Sequence, residues 1–279
     1  MKKLAILSLG TLLALGLGSC SEDKDSAQTS KLEVRLTDAP GDFRSVVLDV
    51  RQIEVHLNDE GNPDGWELLP FTAQAINVLE YVNGRSALLV STDFRPGDLK
   101  EIRLVLGPDS YVVGSDGQRY DLKTPSGQTS GVKLKLDRVS LRERETFQLL
   151  LDFDVARSIV ERGNWRPGND KKERYLLKPV IRVVDQALNG GLRGTVTPAA
   201  ALPEILAIRS SILPADTFST RADATGAYQL MGLPAGTYTV KAFATTPAPA
   251  SQPAYRVTEK TGVTVTNNSV TTVTTLSLN

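Results

Sequence analysis

Asp152 and Asp154 stand two apart at the end of the alternating run Phe147, Leu149, Leu151, Phe153, so both carboxylates project from one face of a strand. Asp38 closes a second alternating run just before Pro40, and Lys178 supplies a cation for one of these acids. Hard oxygen ligands of this kind hold calcium, and a pair of acids is also the apparatus of glycoside hydrolysis. The same residues have plainer uses. Asp154 can cap a short helix, Asp38 can cap a turn, and Lys178 can pair with a carboxylate. Asp38, Asp152, Asp154 and Lys178 are therefore the candidate polar or calcium cluster. No metal ligand set and no catalytic residue follow from them.

Other chemistries lack their parts. His56 is the only histidine, and Glu54-Val55-His56-Leu57 places it at an exposed strand position. With no second histidine and no free cysteine, zinc sites, Cys–His nucleophiles and Ser–His–Asp triads lack their parts, barring a triad on His56 itself, whose neighbours carry no nucleophile motif. Ser130-Gly131-Val132-Lys133 has the Ser-x-x-Lys spacing, but that motif needs a helix, and Lys133 falls in an alternating strand. The Gly- and Ser-rich stretch Thr124 to Gly131 lacks the spacing of a phosphate loop. Trp66 and Trp165 are the two tryptophans, and core or loop packing is the expectation for both ahead of a sugar-stacking platform.

Cys20 is the single cysteine of 279 residues. It follows Lys2, Lys3 and an apolar run from Leu4 to Leu17, the pattern of a secretory signal too short to span a bilayer. Leu17-Gly18-Ser19-Cys20 resembles the lipobox of bacterial lipoproteins, which implies a signal peptide over 1–19 and acylation of Cys20. Residues 20–30 then form a polar tether, with Ser26 in Asp25-Ser26-Ala27 as a candidate O-glycosylation site. The acidic start of that tether resembles export signals to the outer face of the outer membrane. Removal of Lys2 and Lys3 leaves 30 basic against 32 acidic residues, a formal charge of −2. A chain so near neutrality has no global attraction for nucleic acid.

The elements that must position these residues read as strands nearly throughout 31–189. Leu32, Val34 and Leu36 alternate with polar residues, as do Val46, Leu48 and Val50. The phase slips before Ile53, Val55 and Leu57, which predicts a β-bulge at Arg51-Gln52. Asp116-Gly117 predicts a hairpin between Tyr111–Val113 and Tyr120–Leu122. Helical spacing is confined to 155–161, behind Asp154, and to 76–81. These patterns predict a mainly antiparallel sandwich or barrel with one or two short helices.

Along the same stretch run Leu36-Thr37-Asp38-Ala39-Pro40, Gly65-Trp66, Asn77-Val78-Leu79 with Asn83-Gly84, and Ile102-Arg103-Leu104. Thr124-Pro125-Ser126-Gly127, Ser130-Gly131-Val132-Lys133-Leu134, Leu151-Asp152-Phe153-Asp154, Ser158-Ile159 and Leu177-Lys178-Pro179-Val180-Ile181 follow. In this order they resemble the bacterial and archaeal family called domain of unknown function 4382, over about residues 31–186. The resemblance implies a domain typical of lipoproteins, with no settled activity.

Composition changes at Asn189-Gly190-Gly191 to Ala, Thr and Pro with few charges, and a second domain is expected over 190–279. Asp223-Ala224-Thr225-Gly226 and Gly232-Leu233-Pro234-Ala235-Gly236 punctuate its strands, and Asn267-Asn268 turns between the last two. Thr245 to Ala254 is Pro- and Ala-rich and reads as a surface loop. This domain resembles the carboxypeptidase regulatory-like, transthyretin-like sandwich of about seven strands. Together these readings lead to an envelope lipoprotein without catalytic role, displayed at the outer membrane, that binds glycan or an envelope protein or serves structurally. The alternatives are a carboxylate-dependent glycan hydrolase and a calcium-stabilised adhesion or assembly protein.

Overall fold

The computed structural model of the chain describes residues 29–39, 41–57, 65–124, 131–163, 165–166, 168, 174–209, 211 and 215–278. The signal peptide, Cys20 and Ser26 lie outside them, as do Pro40 and most of the Thr124–Gly131 loop, Ser130 included.

In chain order the first strands are β1 (Ser30–Ala39), β2 (Ser45–Leu57), β3 (Trp66–Leu68), β4 (Gln74–Asn77), β5 (Ala87–Phe94) and β6 (Gly97–Leu106). Then come β7 (Tyr111–Val113), β8 (Arg119–Lys123), β9 (Val132–Leu141) and β10 (Thr146–Asp154). A single helical turn, α1 (Val155–Ser158), leads into β11 (Ile159–Glu161), β12 (Tyr175–Leu177) and β13 (Ile181–Asp185).

They form two sheets, one ordered β13-β10-β1-β5 and the other β11-β12-β8-β7-β2-β6-β9, with β3 and β4 also on β2. Leu32, Val34 and Leu36 of β1 and Leu149, Leu151 and Phe153 of β10 are buried in one core with Ile53, Val55, Ile102 and Leu104 of the facing sheet. One shared core between two sheets makes this unit a sandwich. Pairing is mostly antiparallel, but β1 runs parallel to β10 and β8 parallel to β12. The register of β2 against β6 shifts between Val50 and Gln52, the expected bulge.

Helical structure is shorter than the spacing predicts. Asp154 caps α1 by accepting the Arg157 N–H at 2.9 Å, but the helix ends at Ser158 and Ile159-Val160 enters a strand. β-branched residues pack well on a pleated surface and lose χ1 freedom in a helix. Residues 74–80 likewise split into strand β4 and one 3₁₀ turn over Val78–Glu80.

The second unit comprises β14 (Asn189–Thr197), β15 (Glu204–Arg209), β16 (Asp216–Arg221), β17 (Ala227–Pro234), β18 (Gly236–Phe243), β19 (Thr258–Val265), β20 (Val270–Thr272) and β21 (Leu276–Ser277). One sheet runs β17-β14-β20 with β21 also on β14, the other β16-β15-β18-β19. Leu192, Val196, Ile205, Val240, Tyr238 and Leu278 share the core between them. The turn at Asn267-Asn268 is present, with Asn268 at φ 51°, but it carries the chain from one sheet to the other instead of closing a hairpin. β20 and β21 then run parallel to β14, and the described residues of this unit hold eight strands.

The two sandwiches dock through the outer face of the β13-β10-β1-β5 sheet. Leu150 and Val184 point away from the first core and are 0% and 4% exposed, because Gly232 of β17 sits on them. A Cβ on Gly232 would lie 3.3 Å from Val184, and its φ of 70° favours glycine as well.

Candidate functional site

The open side of the second sandwich, between edge strands β16 and β17, meets the outer face of the first. A cleft of about 610 Å3 lies along this junction. Thr37, Asp38, Asp152, Asp154, Arg157 and Arg182 line it from the first sandwich, and Asp216, Thr217, Phe218, Thr220 and Gln229 from the second.

Local structure explains each placement. The β10–β13 register sets Asp152 opposite Arg182, and the two form an ion pair. The Arg182 guanidinium also lies 3.9 Å over the ring of Phe218, a cation–π contact that joins the sandwiches. Burial raises the Asp152 carboxyl above its ordinary range, and the Arg182 charge opposes that rise. Thr220 is 2% exposed, and neither its hydroxyl nor the Arg182 Nε has a hydrogen-bond partner among the described residues.

The wall of the cleft is built from the turn after β4. Thr37 Oγ1 donates to the carbonyls of Tyr81 and Arg85 at 2.8 and 3.0 Å, and the Asp38 N–H donates to Tyr81 at 3.0 Å. These bonds hold Asn83, at φ 58°, against β17, where its amide donates to the Ala227 carbonyl at 3.2 Å and accepts the Gln229 N–H. Farther out, Arg221 reaches Asp42 at 3.6 Å and Glu204 at 3.7 Å.

Of the four residues that the sequence groups as one cluster, Asp38, Asp152 and Asp154 line the same cleft, from two faces of the sheet, and Lys178 does not. Parallel pairing sets Leu36 beside Leu151 and Asp38 beside Phe153, so Asp38 continues the core-facing row. Asp152 and Asp154 belong to the other face, with Thr37 and Ala39 as register partners. The cation of Asp152 is Arg182, not Lys178, whose side chain is exposed and whose N–H donates to the Ser158 carbonyl at 2.8 Å. Among the described residues, no group of three or more His, Cys, Asp or Glu is placed to hold a metal ion. Asp152 is engaged in a salt bridge, Asp154 caps a helix, and Asp38 is buried. Sequence reasoning missed Asn83, Arg182, Phe218 and Thr220. Asn83-Gly84 was a visible turn signal, whereas the other three acquire their role only when the sandwiches dock.

His56 is half-buried, its ring 5.3 Å from that of Trp66, and Arg103 lies 4.3 Å over the same indole. Trp165 packs with Tyr120 and under Arg174, 4.6 Å from its ring. Each tryptophan is taken up by its own cluster of neighbours.

These features define a protein of two β-sandwiches with a cleft at their junction. The chain belongs to the family described as domain of unknown function DUF4382, whose model matches residues 29–179. No curated protein matches the sequence. Among solved structures it is similar to the Bacillus anthracis TIE protein, at 14% identity and TM-score 0.23, covering 89% of this chain and 34% of that one. A leucine-rich repeat protein from Bacteroides thetaiotaomicron shows 11% identity and TM-score 0.23, covering 90% of this chain and 26% of that one. The chain thus spans about a third and a quarter of these two. BcpA, the major pilin subunit of Bacillus cereus, shows 10% identity and TM-score 0.24, covering 90% of this chain and 100% of that one.

Proposed function

We propose that this protein is a non-catalytic envelope lipoprotein that holds a polar ligand, a glycan foremost, in the cleft between its sandwiches. The observation that carries the reading is the cleft of about 610 Å3 itself, lined from both sandwiches by charged, hydroxyl and amide side chains such as Asp154, Arg157, Thr217, Ser219 and Gln229. A hydroxyl-rich ligand both donates and accepts hydrogen bonds and so suits a lining of this mixed character. The cleft volume falls in the range of small-ligand sites. The acids are already engaged, Asp152 by Arg182 and Asp154 by the helix cap, which favours binding over acid–base chemistry. A glycan-array screen of the full chain tests this. Specific binding without product is expected, and silence on every glycan would move the role to an envelope protein partner or to structure alone.

A second reading rests on the raised carboxyl of Asp152 in a cleft, the environment of a general acid in glycan hydrolysis. Product analysis of any bound glycan, with Asp152→Asn alongside, separates the two. Turnover that the variant abolishes would establish hydrolysis.

The remaining parts of the proposal are the anchor and the second module. A lipid on Cys20 would hold the chain at the outer membrane, and among the described residues no helix is long and apolar enough to cross one. Palmitate labelling that is lost in Cys20→Ala is the expected result. The two four-stranded sheets of residues 189–278 suit a transthyretin-like, carboxypeptidase regulatory-like module that displays one wall of the cleft.

A further inference from the structure

A second hollow, of about 640 Å3, lies on the outer face of the β17-β14-β20 sheet, and Asn83 and Gln229 line it as well as the cleft. The two hollows share one wall, built where the Asn83 amide pairs with the β17 backbone.

Strand alternation decides what faces this second hollow. Leu192 and Val196 are in the core, so Arg193 and Thr195 point outward together with their register partners Gln229 and Ala227. Thr272 stands beside Arg193 from β20 and accepts a hydrogen bond from its Nε at 3.1 Å. Thr195 and Thr275 share a hydroxyl–hydroxyl bond of 2.8 Å. The outward row is therefore hydroxyls, an amide and a small alanine, with one cation whose Nε is tied to a hydroxyl, and Asp223 adds one carboxylate at the margin. Such a floor, with hydroxyls and an amide beside the ring of Tyr228 and the methyls of Val273, suits a sugar, which presents hydroxyl groups and apolar C–H faces together.

We infer that cleft and hollow are successive subsites for one linear oligosaccharide, which passes over the Asn83–Gln229 contact that divides them. The inference rests on the glycan reading of the cleft and adds to it a ligand shape and a length. Both hollows mix polar and apolar lining, each has the volume of a small-ligand site, and both take Asn83 of the first sandwich into their walls. Joining two subsites in one ligand raises affinity beyond either alone, because the second contact becomes intramolecular.

The test uses the full chain and the best linear hit from the glycan array, titrated calorimetrically as fragments of increasing length. Thr195→Tyr fills the hollow and Thr217→Tyr fills the cleft, and both positions are exposed. Thr275→Trp is a second way to fill the hollow, and thermal melts verify folding of each variant. Long fragments should lose on the order of 10- to 100-fold in affinity when either side is filled, while short fragments respond to one side only. If the hollow variants leave long-fragment affinity unchanged while Thr217→Tyr abolishes it, the extended site is overturned and the cleft reading stands. Affinity independent of fragment length also overturns it. Binding indifferent to all three variants, or silence on the array, removes both readings.

Discussion

The side chain of Asn83 pairs with the backbone at Gln229 as a strand residue would, accepting its N–H while donating to the Ala227 carbonyl two residues away. β17 is an edge strand, and this amide caps its exposed edge at the junction of the sandwiches. Asn also tolerates its positive φ of 58°, which few side chains do.

Asn83→Asp keeps the acceptor and loses the donor, leaving the Ala227 carbonyl short of a partner. Asn83→Ala loses both bonds and adds strain in the left-handed region. The expected costs are about 1 kcal/mol for the first and about 2–3 kcal/mol for the second. Denaturant unfolding measures them, and equal stability of all three proteins would show that the contact contributes nothing.

Arg182 joins three groups, the Asp152 carboxylate, its own strand and the Phe218 ring. Phe218→Leu keeps an apolar side chain and removes the ring face, and about 1 kcal/mol should be lost. Arg182→Met leaves Asp152 without its cation in a poorly solvated place and should cost about 3–5 kcal/mol at neutral pH. A double variant with Asp152→Asn should recover part of that loss. Additive costs in the double-mutant cycle would refute the coupling.

Much of the first sandwich is legible in the chain. The alternation of Leu32, Val34 and Leu36 extends without a break to Asp38, and that row alone tells which way Asp38 faces. What the alternation does not carry is the neighbour. β1 pairs with β10 across more than a hundred residues, and Arg182 stands opposite Asp152 only through the β10–β13 register. Lys178 is nearer in sequence to the strand end but lies on the exposed stretch before β13. The parallel return of β20 and β21 to β14 is likewise hidden, since a turn signal at Asn267-Asn268 does not say which strand the chain pairs with next. Thr220 and Phe218 look like ordinary core residues of β16 until the first sandwich closes over their edge.

Tyr228 offers a test of the second core. It is 2% exposed, its hydroxyl has no partner among the described residues, and burial pushes its pKa up to about 12. Tyr228→Phe should therefore stabilise the fold or leave it unchanged, since no hydrogen bond is lost. Gly194 pairs with Tyr228 in register, and a Cβ there would lie 2.7 Å from the phenol oxygen. Gly194→Ala should destabilise, and Tyr228→Phe should relieve part of the cost. A loss of stability in Tyr228→Phe alone would show that the hydroxyl has a partner in solution.

Asp152 and Asp223 should respond to acid in opposite directions. Burial raises the Asp152 carboxyl above the ordinary value of 3.8, although Arg182 opposes the rise. The folded state then binds a proton more readily than the unfolded state. Its contribution is complete below 3.8 and is lost as pH climbs through the higher folded value. Asp223 is lowered from the same starting value, chiefly by the Thr225 hydroxyl at 2.6 Å and then by the Thr225 N–H at 2.8 Å. Its contribution is present above 3.8 and disappears as pH falls through the lower folded value. Urea unfolding of the wild type, Asp152→Asn and Asp223→Asn from pH 3 to pH 7 separates the two, since neither asparagine titrates. Relative to Asp152→Asn, the wild type should lose stability as pH rises; relative to Asp223→Asn, it should gain. Parallel curves for the wild type and Asp152→Asn would mean that Arg182 cancels the burial, and the latch between the sandwiches would then be indifferent to acid.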